Sequence, residues 1–151
     1  MDIGSYISGF TEGEGCFCIS FSKRAKMNTG IEVRPSFSIS QNKRNLELLK
    51  KIHQFFRCGA IRFSRRDQNY KFEVRSIKDL VKIIIPFFEK NSLMGVKKED
   101  FQNFKLVCQM IRRNEHRNKE KMVELIDYAY QINCSGKRKY NKENLLKHMA
   151  R

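Results

Sequence analysis

Two glycines four residues apart and two carboxylates two residues apart share the stretch Ile7-Ser8-Gly9-Phe10-Thr11-Glu12-Gly13-Glu14-Gly15. Each glycine inside a helix costs about 1 kcal/mol relative to alanine, and acids near a helix C-terminus face the negative end of its dipole. Gly9 and Gly13 fall on one helical face, where missing side chains let a second backbone approach closely. Glu12 and Glu14 gather negative charge where that helix stops. Two copies would bring two acid pairs together. Carboxylates held close repel unless one is protonated or a cation lies between them. Hard oxygen ligands select Mg²⁺ or Ca²⁺ over a soft metal.

Charge points to a polyanionic partner. The 151 residues carry a net charge of +15, which favours nucleic acid before membrane. Residues 16–75 hold fourteen Lys/Arg against Glu32, Glu47, Asp67 and Glu73, a local excess of +10. Length and 40% apolar content with twelve Phe predict one domain with a real core rather than a disordered chain. No stretch reaches the roughly 18 apolar residues of a membrane span, and the amino terminus lacks a signal-peptide layout. Nothing points to a small-molecule substrate. The five cysteines (Cys16, Cys18, Cys58, Cys108, Cys134) form no CxxC pair and read as reduced thiols.

Period-two alternation predicts the elements that would carry the charge. Phe17, Ile19 and Phe21 share one face of a first strand; Ser20, Ser22, Arg24 and Lys26 share the other. In the next run Ile31, Val33, Pro35, Phe37 and Ile39 oppose Glu32, Arg34, Ser36, Ser38 and Ser40. A third strand sets Ile61 and Phe63 inward against Arg62, Ser64 and Arg66, and a fourth sets Tyr70, Phe72 and Val74 against Lys71, Glu73 and Arg75. Met27 to Gly30 and Asp67 to Asn69 supply turns. Two hairpins then form a four-stranded antiparallel sheet with one apolar face and one bearing Arg, Lys and Ser. Short hydroxyls between guanidiniums suit base edges and phosphates, and a two-stranded ribbon fits a major groove. A strand of about nine residues spans ~30 Å, or roughly nine base pairs of duplex.

Amphipathic spacing predicts helices at Asn45–Arg57, from a Ser76 cap through Ile85 with Pro86 interrupting the ladder, and around Phe101–Ile111 and Met122–Ala129. A domain over 1–132 is followed by a basic tail, 133–151, with a short helix at Lys142 to Met149.

The Ile7–Gly15 run resembles the signature of the LAGLIDADG homing endonucleases, with both aspartates replaced by glutamate. The resemblance implies an α+β fold of order αββαββα, with motif helices forming the seam between two DNA-binding halves. It implies Glu14 as ligand of a divalent metal, the Gly13 carbonyl as a second ligand, and Glu12 as the lesser acid, capping or bracing. Gly9, Gly13 and Glu12 would line the seam. Gln41 matches a position that orients water. Lys97, in a Gly-x-Lys-Lys run, matches a pocket lysine that stabilises developing negative charge; Lys98 is an equal chemical candidate. A basic position of relatives falls on Asn45, with Lys43 or Arg44 nearby as substitutes.

One motif copy and no internal repeat imply a homodimer on a nearly palindromic site of about twenty base pairs. The expected activity is Mg²⁺-dependent, site-specific cleavage of double-stranded DNA, with Ca²⁺ as a non-cleaving substitute, by an intron-encoded protein of a chloroplast or mitochondrion. An intron RNA maturase and a non-catalytic DNA-binding protein are the alternatives; retained acids favour cleavage.

Overall fold

The structure, a computed structural model, describes residues 1–132 and 138–150. Cys134 lies outside the described residues, as does part of the expected tail. The chain begins with α1 (Ile3–Glu14), started by Asp2, whose carboxylate accepts from the Gly4 and Ser5 amides. Its inner face buries Ile7, Ser8 and Thr11, and Ser8 Oγ donates to the Asn91 carbonyl at 2.9 Å. The helix turns directly into β1 (Gly15–Lys23). A Cβ on Gly15 would lie 2.5 Å from Thr11 Cγ2, so this abrupt switch has room only for glycine.

β1 pairs with β2 (Ile31–Asn42), which also pairs with β4 (Asn69–Val74); β4 pairs in turn with β3 (Ala60–Ser64). The sheet is antiparallel throughout, in the order β1-β2-β4-β3. Between β2 and β3 lies α2 (Leu46–Phe56), entered through a 3-10 turn at Lys43–Asn45 and closed by Arg57 in a left-handed conformation. After β4, Ser76 caps α3 (Ile77–Asp79) as expected, and its hydroxyl accepts from the Asp79 amide. A π-helical segment, Leu80–Ile84, then leads into α4 (Ile85–Lys90). This widened turn lies directly before Pro86, which has no N–H to continue an α-helical ladder. Last come α5 (Val96–Arg112), α6 (Lys119–Ala129) and α7 (Lys142–Met149).

The order through α5 is the expected α+β arrangement. One sheet face packs on the helices. Phe17 sits at the centre of the core, its ring centroid 5.2 Å from those of Phe37 and Phe104 and 5.3 Å from that of Phe88. Leu145 and Met149 of α7 enter the same core, and His148 Nε2 lies 3.1 Å from the Gly30 carbonyl, tying α7 to the β1–β2 turn.

Several strand expectations need correction. Phe63 does not point into the core: it is 42% exposed and packs beside Tyr70, because this tip of the β3–β4 hairpin reaches beyond the helical cover. Arg24 and Lys26 are not on a strand face, since β1 ends at Lys23 and the chain turns at once, with the Arg24 amide donating to Gly30 O. Arg66 lies past the end of β3, in the turn to β4.

Candidate functional site

Glu12 and Glu14 sit about 200° apart around a helix of 3.6 residues per turn, so their side chains leave α1 on opposite flanks. Glu12 turns toward the segment before α5, where one carboxylate oxygen accepts from the Met94 and Gly95 amides. That braces the end of α1 against the start of α5. Glu14 turns toward the sheet and is exposed. There Gln41, at the end of β2, donates from Nε2 to Glu14 Oε2 at 3.1 Å and to the Ser40 carbonyl at 2.9 Å. Asn45 Nδ2 donates in turn to Gln41 Oε1 at 2.8 Å. Lys97, in the first turn of α5, reaches back to the Gly15 carbonyl, 2.6 Å from its Nζ. Lys98 is exposed and Lys97 half-buried.

Glu14, Gln41 and Lys97 thus come together from three separate elements. Gly13, Glu14 and Lys97 line one part of a concave groove of about 690 Å³ that runs over the open sheet face. Ser20, Arg34, Ser36, Ser38 and Ser40 line it from β1 and β2, with Lys71, Glu73 and Arg75 from β4 and just beyond. Ser38 and Glu73 are not exposed, as alternation predicts, but buried in its floor, where β2 and β4 set them opposite each other. Cys16 and Cys18 also line the groove. Alternation puts them on this face, but they read only as reduced packing or surface thiols and escape notice as groove residues in the sequence. Asn69 and Asp100 join them; no sequence signal marks Asp100, brought in from α5 only by folding.

Ser22 pairs with Glu32 and Arg62 with Lys71 across the ladders. Ser64 ends β3 opposite Asn69, its hydroxyl 3.3 Å from Asp67 Oδ2.

The two acids of this face are each bracketed by cations. Glu32 accepts from Arg34 Nε at 3.1 Å and Arg24 Nη1 at 2.7 Å, and these hydrogen bonds, Arg34's first, hold its carboxyl below the ordinary value. Glu73 lies 2.7 Å from Arg75 Nε and 3.5 Å from Lys71 Nζ. The face therefore keeps a positive balance while its long cationic side chains are held in set positions. Away from it, burial pushes the Cys58 thiol up to about 11 and the Cys108 thiol higher still, as for packing residues rather than ligands or nucleophiles.

On the outer side of α1, a Cβ on either Gly9 or Gly13 would meet nothing within 4 Å. These glycines lie open beside exposed Ile3 and Tyr6, on the face expected to meet a second copy. Among the described residues no three His, Cys, Asp or Glu side chains of one chain gather to hold a metal. A lone exposed carboxylate still fits Mg²⁺, which is commonly bound by one or two carboxylates completed by phosphate oxygens and waters. No helix among the described residues is long and apolar enough to cross a membrane.

Comparison with known proteins meets this geometry from another side. Residues 7–108 match the family model described as LAGLIDADG endonuclease. A probable intron-encoded endonuclease 2 of Neurospora crassa is 33% identical over 124 residues, covering 82% of this chain and 26% of the relative. The crystal structure of the homing endonuclease I-TnaI is 33% identical with a TM-score of 0.85, covering 97% of this chain and 95% of that one. The archaeal intron-encoded homing endonuclease I-Vdi141I, solved in complex with DNA, is 29% identical with a TM-score of 0.89, covering 98% and 94%. The chain spans between about a quarter and about half the length of the curated relatives it matches.

Proposed function

Because this chain belongs to the LAGLIDADG endonuclease family, we propose that it is a site-specific homing endonuclease that hydrolyses both strands of a long, nearly palindromic DNA target as a homodimer. One observation carries the reading: Glu14, held by Gln41, and Lys97 meet at a groove whose floor bears hydroxyls and paired cations.

Duplex DNA lies along the sheet face. Arg34, Arg62, Lys71 and Arg75 meet phosphates and base edges, with Arg24, Lys26 and Arg66 of the flanking turns. Ser20, Ser22, Ser36, Ser40 and Ser64 offer short donors and acceptors between them, and Glu32 and Glu73 hold the cations in place. The open face of α1 takes a second copy of the chain. Gly9 and Gly13 admit close backbone approach, Ile3 and Tyr6 become covered, and each protomer contributes one half-site.

Mg²⁺ is the proposed cofactor, with Glu14 and the Gly13 carbonyl as its protein ligands and Ca²⁺ as a substitute that supports binding without cutting. When bound, such an ion stabilises charge on the phosphate and lowers the pKa of attacking water. Gln41 fixes the direction of the Glu14 carboxylate and, through its amide, of water beside it. Lys97 sits where its ammonium can exchange the Gly15 carbonyl for a phosphate oxygen gaining negative charge. Glu12 keeps Lys97 at this distance by tying the start of α5 to the end of α1. The names of relatives place them in introns, one of them in an ND4 intron, which supports an intron-encoded origin and an organelle as the place of action.

The deciding experiment is cleavage selection by the purified protein from a randomised duplex library, with Mg²⁺ and with Ca²⁺. Recovery of one long site cut only with Mg²⁺ is the expected result. Binding to a single site without cutting under Mg²⁺ would leave a DNA-binding protein in its place.

A further inference from the structure

We infer that Asn45 is a positioning residue, one that holds the Gln41 amide by its accepting end while the donating end faces Glu14; this rests on the endonuclease reading of the Glu14 site. Asn45 stands at the N-cap of α2, where an asparagine side chain ordinarily turns back to an amide of the first turn. Here it makes no such cap bond. Its Nδ2 donates instead to Gln41 Oε1 at 2.8 Å.

The consequence follows from donor and acceptor chemistry. A glutamine amide has one donating and one accepting end, and rotation by 180° exchanges them with little change of shape. Opposite a carboxylate only the donating end is favourable. The Glu14 carboxylate draws that end inward, but Gln41 is half-buried one residue before the end of β2, where water competes for its amide. Glu14 Oε2, 3.1 Å away, and the Ser40 carbonyl, 2.9 Å away, only accept and so turn Nε2 toward themselves; the Asn45 donor holds the opposite end, Oε1, and limits the swing of the amide. Asn45, Gln41 and Glu14 form a directed chain of donors ending on the proposed metal ligand.

The chain is testable by changing position 45, an exposed side chain that leaves the core intact. Asn45→Leu removes the donor, and Asn45→Asp, nearly identical in shape, offers only acceptors and draws the Gln41 NH₂ toward itself. In the metal-free protein, nuclear Overhauser contacts from the Gln41 NH₂ protons should fall on the Glu14 side chain in the wild type, weaken in Asn45→Leu and move to residue 45 in Asn45→Asp. Single-turnover cleavage at saturating protein should slow about tenfold to a hundredfold in Asn45→Asp, the scale of a misaligned polar group, and less in Asn45→Leu. Gln41–Glu14 contacts as strong in Asn45→Leu as in the wild type would overturn the inference, even if cleavage slows. So would a switched amide with unchanged cleavage. Amide contacts that change as expected in the variants, with a wild-type protein that never cuts DNA, would instead uphold the positioning and sink the endonuclease reading.

Discussion

Lys97 Nζ lies 2.6 Å from the carbonyl of Gly15, the residue directly after Glu14. A side chain from the start of α5 is thereby held at the end of the motif helix, 82 positions earlier in the chain, and the Glu12 carboxylate secures the same junction from the other direction. The proposed acid and cation are kept apart by one backbone step and are not paired with each other, so the acid is open to a metal cation and the ammonium to a phosphate lying across them.

Glu14→Gln keeps the shape of the side chain and removes its charge. Cleavage with Mg²⁺ should fall below detection while affinity for the selected site in Ca²⁺-free buffer stays within a fewfold of wild type. Gel-shift titration beside a plasmid-nicking assay reads both, and undiminished cutting would remove Glu14 from the metal assignment.

Lys97→Met should slow cleavage about 10²- to 10³-fold, the cost of losing one donor to developing charge. The equivalent change at exposed Lys98 should cost far less. Single-turnover rates for the two variants distinguish the two lysines, which the Gly-x-Lys-Lys run alone leaves equal; a larger loss at Lys98 would reverse the assignment.

At Gly9 a Cβ meets nothing within 4 Å of its own chain, and leucine gains helix propensity of up to about 1 kcal/mol. Gly9→Leu should therefore melt no earlier than wild type at concentrations where the wild type is monomeric, yet sediment as a monomer where the wild type is a dimer. Velocity sedimentation across a concentration series makes the test. Unaltered dimerisation would move the seam off this face.

Glu32→Gln unpins Arg24 and Arg34. Affinity for random duplex should rise, its salt dependence should steepen, and preference for the selected site should narrow. In the wild type the depressed carboxyl of Glu32 keeps this pinning in full above its ordinary value of 4.5, and loses it only as pH falls through the lower folded value. The difference between variant and wild type should therefore be flat from pH 6 to 8. Binding isotherms at several salt concentrations test it, and equal preference in both proteins would deny Glu32 a part in readout.

Phe17→Ala removes the ring that touches Phe37, Phe88, Phe101 and Phe104. A loss of about 3–5 kcal/mol is expected, measured by urea unfolding. A cost under 1 kcal/mol would mean that this core is not packed as described.

What the sequence determines by itself is local and periodic. Strand alternation at Phe17, Ile19, Phe37, Ile39, Phe72 and Val74 states which side chains are buried, because a strand's geometry leaves only two faces. The Ser76 cap, the break at Pro86 and the acid pair at the end of α1 are likewise legible, since each depends on neighbours a few residues away. Where the sheet outruns its helices this reasoning fails: Phe63 keeps the alternation and is exposed. The same holds where a strand stops early, at Lys23 and Ser64, leaving Arg24, Lys26 and Arg66 in turns.

Only the tertiary structure decides which distant groups meet. It separates Glu12 from Glu14, giving one to the α5 junction and the other to the groove. It also brings Lys97 to Gly15, buries Ser38 and Glu73 in the groove floor, and directs Asn45 away from its own helix to Gln41. The physical reason is range: periodicity encodes the direction in which a side chain leaves its own element, whereas hydrogen bonds between elements depend on distances fixed by how the whole core packs.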